Sequence, residues 1–502
     1  MNVVVIGDIG WKYLYHLGDE AMTEAAIDML RERGVDGITL IAGDADVASA
    51  FYGLPAVPRL GFNGRWSRDG NAGHLRTVDA TLAAGEFTRG TVYTAVRDAD
   101  AVVIAGGGNM NAAHSHHLYE RVALTRVAAH FGTPLYVTSQ TVGPTLTDDD
   151  RAMVAEIAAY ATSFGAREAM THALVSGLAE DPSRVVHTLD DAAVLRADAP
   201  AREAVESFGL PDRYVAASFS NGPGTTFPDA ATYYRAMARL CDELVRRHDI
   251  DVVLAPHAGS FSPERTTRDQ DSNRAIVDYS TSGRVAALPL LTARQDVALV
   301  ERATLSLSTR YHPAVFAPAV GTPAGCIAPS YYSSVRMRGA MRNVGLERYV
   351  LSTESLDLAA EAFGELIENA GAVRAHLAGV RHVALDYQGR WWDAIVDSMR
   401  GKPWVSPGQL PRAAVYIPDG AWSAANEASF PLYDGYTEQI ERAAMWESEA
   451  RRFAPAHAQV PELLSEARAA RRYRRRKSVR MADAVGRFRE RLAGSPVKST
   501  SP

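Results

Sequence analysis

Two cysteines in 502 residues, Cys241 and Cys326, leave no disulfide framework and no Cys-based zinc site, and both sit in apolar stretches expected of reduced core thiols. No run of about 18 apolar residues occurs, so no membrane-spanning helix is expected. The first ten residues lack a basic region ahead of a hydrophobic one, so export by a signal peptide is not expected and a cytoplasmic location is. No internal repeat of fixed period appears. Gly7-Asp8-Ile9-Gly10 lacks the third glycine of a dinucleotide fingerprint, and no Gly-x4-Gly-Lys-Ser/Thr exists, so NAD binding and P-loop chemistry are unsupported. His114, His116 and His117 cannot all face one ion from one loop and have no carboxylate at ligand spacing. They are expected to be solvated, with no metal site.

What is present is globular: 47% hydrophobic and 22% charged residues, with 39 Gly and 25 Pro. The net charge of −6 is uneven, because residues 451–502 hold 14 Lys/Arg against 4 Asp/Glu, leaving 39 against 55 in residues 1–450. An acidic body argues against nucleic acid as the partner of the main fold, while the basic tail is free to meet an anionic membrane or to dock on that body.

Short β-branched runs alternate with amphipathic segments: Val3–Ile6, a helix from about 19 to 33, Ile38–Ile41, Ala101–Ile104, helices near 116–131 and 148–160, Leu135–Val137 and Ser163–Gly165. A second series runs through Tyr214–Ala217, Val252–Leu254, Thr304–Ser306 and Ala324–Ile327. Alternation of this kind gives parallel sheets covered by helices on both faces. The expected fold is α/β: two doubly wound Rossmann-like domains, 1–200 and 206–355, facing a cleft, plus a mostly helical extension over 356–502. Ligands of such sheets bind at the carboxyl ends of the strands.

Those strand ends carry the chemistry. Gly106-Gly107-Gly108-Asn109 follows a buried strand and offers bare N–H groups to an anion, or else marks a tight crossover. Gln140 ends one strand in Ser139–Pro144, Arg167 ends the next and must either swing away or meet an anion, and His257 ends a third. Ser308–Pro313 puts Arg310 and His312 at the mouth of the second sheet, a guanidinium suited to carboxylate or phosphate and an imidazole suited to proton transfer. Asp19 and Glu20 open the first helix, as dipole-complementing acids or as bases. Arg336 and Arg338 lie on a downstream helical pattern that reads as a solvated face or an anion site.

Gly18–Ala21, Gly106–Gly108, Gln140–Pro144, Arg167-Glu168, Asp190–Ala193 and Arg310–Ala314, in that order, resemble the polysaccharide pyruvyltransferase family over about residues 1–355. The resemblance implies a fold like GT-B glycosyltransferases and transfer of the enolpyruvyl carbons of phosphoenolpyruvate onto a sugar as a ketal, without metal or organic cofactor. The acceptor would be a cell-surface glycan or a lipid-linked precursor. It implies that Arg310, His312 and Arg167 hold phosphoenolpyruvate. Many members carry a Lys about twenty residues beyond the His, and Ser330–Arg336 has none, which points to Arg336 or Arg338 in its place. His312 is then the acid, with Asp19 or Glu20 as base. Two rival readings use the same residues: a nucleotide-sugar glycosyltransferase, and a non-catalytic scaffold recruited to membrane by its basic tail.

Overall fold

The computed structural model describes residues 1–220, 225–262, 265 and 267–453. The basic cluster Arg471–Lys477 lies outside them.

Eight strands form the first sheet. Seven run in the spatial order Ala56–Pro58, Gly37–Ala42, Asn2–Ile6, Ala101–Ile104, Leu135–Val142, Ser163–Ala166, Val185–His187, and Gly107–Met110 adds to Leu135–Val142. Every pairing is parallel. The second sheet, also all parallel, has the order Val285–Ala287, Asp251–Leu254, Tyr214–Ser218, Leu305–Ser308, Ala324–Ala328, Val350–Ser352. Central strands such as Val3–Ile6 and Ala101–Ile104 are buried throughout, as a parallel sheet covered on both faces requires. The two sheets face each other as in GT-B folds. They are stitched by an antiparallel pairing of Tyr15–His16 with Ala258–Gly259, and by the Leu17 N–H donating to the His257 carbonyl.

The described part of residues 356–502 is shared between the two domains. Ala359–Glu368 packs on the second sheet through Phe363 and Leu366. The 30-residue helix Ala370–Met399 then crosses the molecule: Val373 and Leu377 join the second domain's core, whereas Tyr387, Trp391, Trp392 and Ile395 are buried in the first domain's. Residues 402–419 have no regular structure, and Trp422–Phe453 returns to the second domain through Trp422, Phe430 and Tyr433. Residues 195–211, between the two sheets in sequence, contain a helix, Ala199–Glu206, N-capped by Asp198. Among the described residues no helix is long and apolar enough to cross a membrane.

Candidate active site

The strand Leu305–Ser308 ends in Thr309-Arg310-Tyr311, and His312 caps the helix Pro313–Val320, whose Pro313 at the first position suits a fixed helical φ. His312 is buried, and its Nε2 has no hydrogen-bond partner, the nearest carboxylate being Asp190 Oδ2 at 3.9 Å. Gly18, opening the first helix from the other domain, lies so close that any Cβ there would overlap the His312 ring. Burial holds the His312 pKa well below the usual histidine range, and the charges of Arg167, His257, His16 and Arg336 add to this, so the ring is neutral at pH 7.

Two guanidinium groups converge beside it. Arg167, 1% exposed, donates from Nε to Thr141 Oγ1 at 2.7 Å and from Nη1 to Asp190 Oδ2 at 2.6 Å, and stacks 4.2 Å over the Tyr311 ring. Burial disfavours its charge, but Tyr311, Asp190 and Glu168 more than offset this and its pKa rises. Arg336 lies 3.6 Å over Tyr332 and 5.1 Å over Tyr311, and among the described residues no carboxylate pairs with it. Burial pushes its pKa down, Tyr332 opposes, and Arg167 adds to the fall, as two cations facing one space must. They meet at Gly108, where only a glycine fits: a methyl there would overlap the Tyr332 hydroxyl and sit 3.1 Å from Arg167 Nη2 and 3.2 Å from Arg336 Nη1. The Tyr332 hydroxyl donates to the Gly108 carbonyl and bridges the domains.

The neighbouring glycines have another role. A Cβ on Gly106 would press on Met22 and Ser139, and one on Gly107 on the Gln140 amide, so these two allow a tight crossover while Gly108 faces the guanidinium pair. Ser139 holds a left-handed φ of 43°, the kind of backbone strain that collects at functional sites.

Several sequence expectations change here. Arg310 binds a protein carboxylate, donating from Nε and Nη2 to Asp269 at 2.9 and 2.5 Å, so its planar fork is already filled. Asp269 also accepts the His257 and Ala258 N–H groups, which makes the pair a brace for the cleft wall. Gln140 donates to the Ala105 and Thr138 carbonyls, supporting the glycine turn from within. His257 sits behind the site with Nε2 3.2 Å from Asp296. Arg338 points away, 3.7 and 3.8 Å from Glu427 and Asp434 and 4.2 Å over Phe430, on the helix Trp422–Phe453. Glu20 accepts the Gly10 N–H at 3.1 Å and the Tyr52 hydroxyl, and burial pushes its pKa up to about 8, so it is protonated near neutrality. Asp19 instead meets His16 Nδ1 at 2.8 Å and lies near enough to Arg310 and Tyr332 to affect both charges.

His117 is not solvated. It is buried in a charged cluster at the carboxyl ends of the first sheet, with Nε2 3.4 Å from Asp8 and Nδ1 3.2 Å from Arg59. Arg59 pairs with Asp8 and with Glu120, Arg121 lies 3.3 Å from Glu120, and Asn109 donates to Asp8 at 3.2 Å. Burial opposes the Asp8 charge, but His117, Arg59 and Arg121 hold its carboxyl far below the usual range. Among the described residues no three His, Cys, Asp or Glu side chains group to hold a metal ion.

Asp190, Tyr311, Tyr332 and Asp269 are the site residues that sequence reasoning did not assign. Asp190 and Tyr311 were visible within recognised motifs and Tyr332 within the stretch that lacks the family's lysine, whereas Asp269 carried no signal of its own.

The chain resembles solved sugar-nucleotide enzymes in fold. A UDP-GlcNAc 2-epimerase from Neisseria meningitidis bound to UDP-GlcNAc superposes with a TM-score of 0.51 at 12% identity, covering 80% of this chain and all of that one. Anabaena HepE in complex with UDP and glucose does so with a TM-score of 0.50 at 13% identity, again over 80% of this chain and 100% of that one. No curated protein matches. A family model described as polysaccharide pyruvyl transferase matches residues 16–331, from the strand before Asp19 to the start of the Arg336 helix.

Proposed function

Because the chain belongs to the polysaccharide pyruvyl transferase family, we propose that it moves the enolpyruvyl group of phosphoenolpyruvate onto a sugar of a cell-surface glycan or its lipid-linked precursor, as a ketal. The observation that carries this reading is the convergence of Arg167 Nη2 and the unpaired Arg336 on Gly108, beside the unpartnered His312 Nε2. A donor with a phosphate and a carboxylate supplies the anion that Arg336 lacks and meets the Nη2 of Arg167 that its pairing with Asp190 leaves over. Arg336 takes the place of the family's lysine.

In this mechanism the donor's negative charge raises the His312 pKa, and the imidazolium gives its proton to the methylene carbon. The electron-poor carbon next to it is attacked by a sugar hydroxyl, whose proton passes to Asp19. The bond to the phosphate oxygen breaks and phosphate leaves; a second hydroxyl then closes the ketal and gives its proton to the departing phosphate, while the proton held by Asp19 passes to solvent and His312 is reprotonated from it. Asp190 holds Arg167 and steadies the imidazolium. The reaction needs no metal and no organic cofactor. Its donor belongs to the cytoplasm, with Arg471–Lys477 available to hold the enzyme beside an anionic membrane.

Purified full-length protein is incubated with labelled phosphoenolpyruvate and candidate acceptors, and in parallel with UDP-sugars, the ligand class of the fold neighbours. Phosphate release dependent on acceptor supports pyruvyl transfer. Release of free UDP would assign glycosyl transfer instead, and release of neither would leave a binding scaffold.

A further inference from the structure

We infer that the second domain carries a remote subsite for an anionic sugar unit of the acceptor, in a cavity between the helix Asp269–Tyr279 and the loop that follows Val285–Ala287. The inference rests on the pyruvyl-transfer reading in treating that unit as part of the acceptor. The cavity has a volume of about 580 Å³ and is lined by Ser260, Phe261, Gln270, Arg274, Val277 and Leu288, among others. That is an ordinary size for a ligand pocket, roughly 300–1,000 Å³.

Its position ties it to the reaction cleft. The strands Asp251–Leu254 and Val285–Ala287 are parallel neighbours, and the cavity lies at their carboxyl ends, the same end of the sheet that carries Arg310 and His312. Val285–Ala287 stands three strand positions from Leu305–Ser308, on the order of 14 Å at ordinary strand spacing. A short oligosaccharide spans that distance and a monosaccharide does not.

A ring contact and the strand pairing that stitches the domains connect the two places. Phe261, 49% exposed, forms part of the cavity wall and lies 4.8 Å from the Tyr15 ring. Tyr15 and His16 pair with Ala258–Gly259, and His16 contacts Asp19, the proposed base. Trp11 and Tyr13, on the same turn, are 40% and 52% exposed. Exposed rings at the mouth of a cleft suit the apolar C–H faces of pyranoses, which pack on the electron-rich ring face.

The charge preference comes from Arg274. It lies one helical turn beyond Gln270, so both face the same way. Gln270 is occupied, accepting the Ser260 N–H at 2.8 Å and donating to its carbonyl at 3.1 Å, and so shapes the wall. Arg274 is exposed and has no carboxylate partner among the described residues. An Arg fork beside hydroxyls and an aromatic face fits a saccharide bearing a carboxylate or a phosphate.

The test titrates full-length protein with acidic oligogalacturonides of increasing length, neutral cello-oligosaccharides of the same lengths, glucose 1-phosphate and anionic phosphatidylglycerol vesicles. Acidic oligomers are expected to bind more tightly than neutral ones, tightening with length. Phe261→Ala and Arg274→Glu are each expected to weaken them by about tenfold or more. Glucose 1-phosphate binding with the same Arg274 dependence would name phosphate as the anion, and binding by uronates alone would name carboxylate. Equal binding of neutral and acidic oligomers, no binding of either, or variants equal to wild type would overturn the subsite. Vesicle binding lost in Phe261→Ala without saccharide binding would give the patch to a lipid surface. Calorimetry with phosphoenolpyruvate separates the two claims: wild-type donor affinity in both variants leaves the pyruvyl reading standing whatever the saccharides do. A wild-type protein that does not bind the donor fells that reading alone.

Discussion

The two walls of the cleft both carry buried charge, but they treat it in opposite ways. On the first domain's side Asp8, Arg59, His117, Glu120 and Arg121 neutralise one another. Across the cleft Arg336 has no carboxylate partner among the described residues, and the His312 Nε2 and Tyr311 hydroxyl have no hydrogen-bond partner. A charge with its partner in place holds a wall. A charge without one is tolerated in a stable fold when a ligand supplies the missing half, because an unpaired buried ion otherwise costs several kcal/mol.

The comparison breaks most visibly at Arg59. Replacing it by Met removes the cation that the Asp8 and Glu120 carboxylates share, leaving Arg121 alone against both, and a loss of about 3–5 kcal/mol in stability is expected. Denaturant unfolding of the variant measures this. A loss below about 1 kcal/mol would mean that the cluster is no keystone and that Arg59 is free to bind substrate.

At His312 the expected effect falls on turnover. His312→Gln should lower it by about a hundredfold or more while unfolding stays near wild type. The depressed pKa adds a linked expectation. Donor binding restores positive charge to the ring, so it takes up a proton at pH 7, and donor affinity rises as pH falls. Calorimetry in buffers of different ionisation enthalpy reads the uptake, which should vanish in His312→Gln. Uptake that survives in the variant would locate the titrating group elsewhere.

A smaller contrast sharpens the choice between two arginines two residues apart. Arg336→Ala should weaken donor binding by about tenfold or more, whereas Arg338→Ala should leave it unchanged and loosen the contact with Glu427, Asp434 and Phe430. Equal losses from both would mean that the whole helix face meets the donor.

How much of this was legible in the sequence follows from the range of the interactions involved. Val3–Ile6 and Ala101–Ile104 announce themselves because β-branched runs between turn residues have a local signature, and the helix expected near 148–160 stands at Asp148–Tyr160 because its Thr147 cap and its period are local too. Trp391-Trp392 was visible as a pair but not as an anchor. Nothing periodic says that one helix fills two cores, with Val373 in one and Trp392 in the other. Within the site, residue type told which side chains could bind an anion but not which were already taken. Arg310 and Asp269 are 41 positions apart and Arg59 and Glu120 are 61 apart, and pairings at such distances depend on the fold.

The smallest expected effect separates two adjacent acids. Asp19 and Glu20 both start the first helix and look interchangeable as bases, but Glu20 is buried under the Gly10 N–H and the Tyr52 hydroxyl. Burial lifts its pKa from an ordinary 4.5 to about 8. The folded protein therefore keeps a proton that the unfolded chain has released above the ordinary value. This contribution to stability is full below the unfolded pKa and is lost as pH rises through the folded one. Glu20→Gln removes that titration and keeps the bond to Gly10, so its melting temperature should fall less than wild type's between about pH 6 and about pH 9, with turnover nearly unchanged. Asp19→Asn, at the position in contact with His16, should instead lower turnover by about a hundredfold. If Glu20→Gln abolishes turnover while its pH–stability curve matches wild type, the carboxyl is ionised and acting as base. The charge contrast between the two walls would then extend to the start of the first helix.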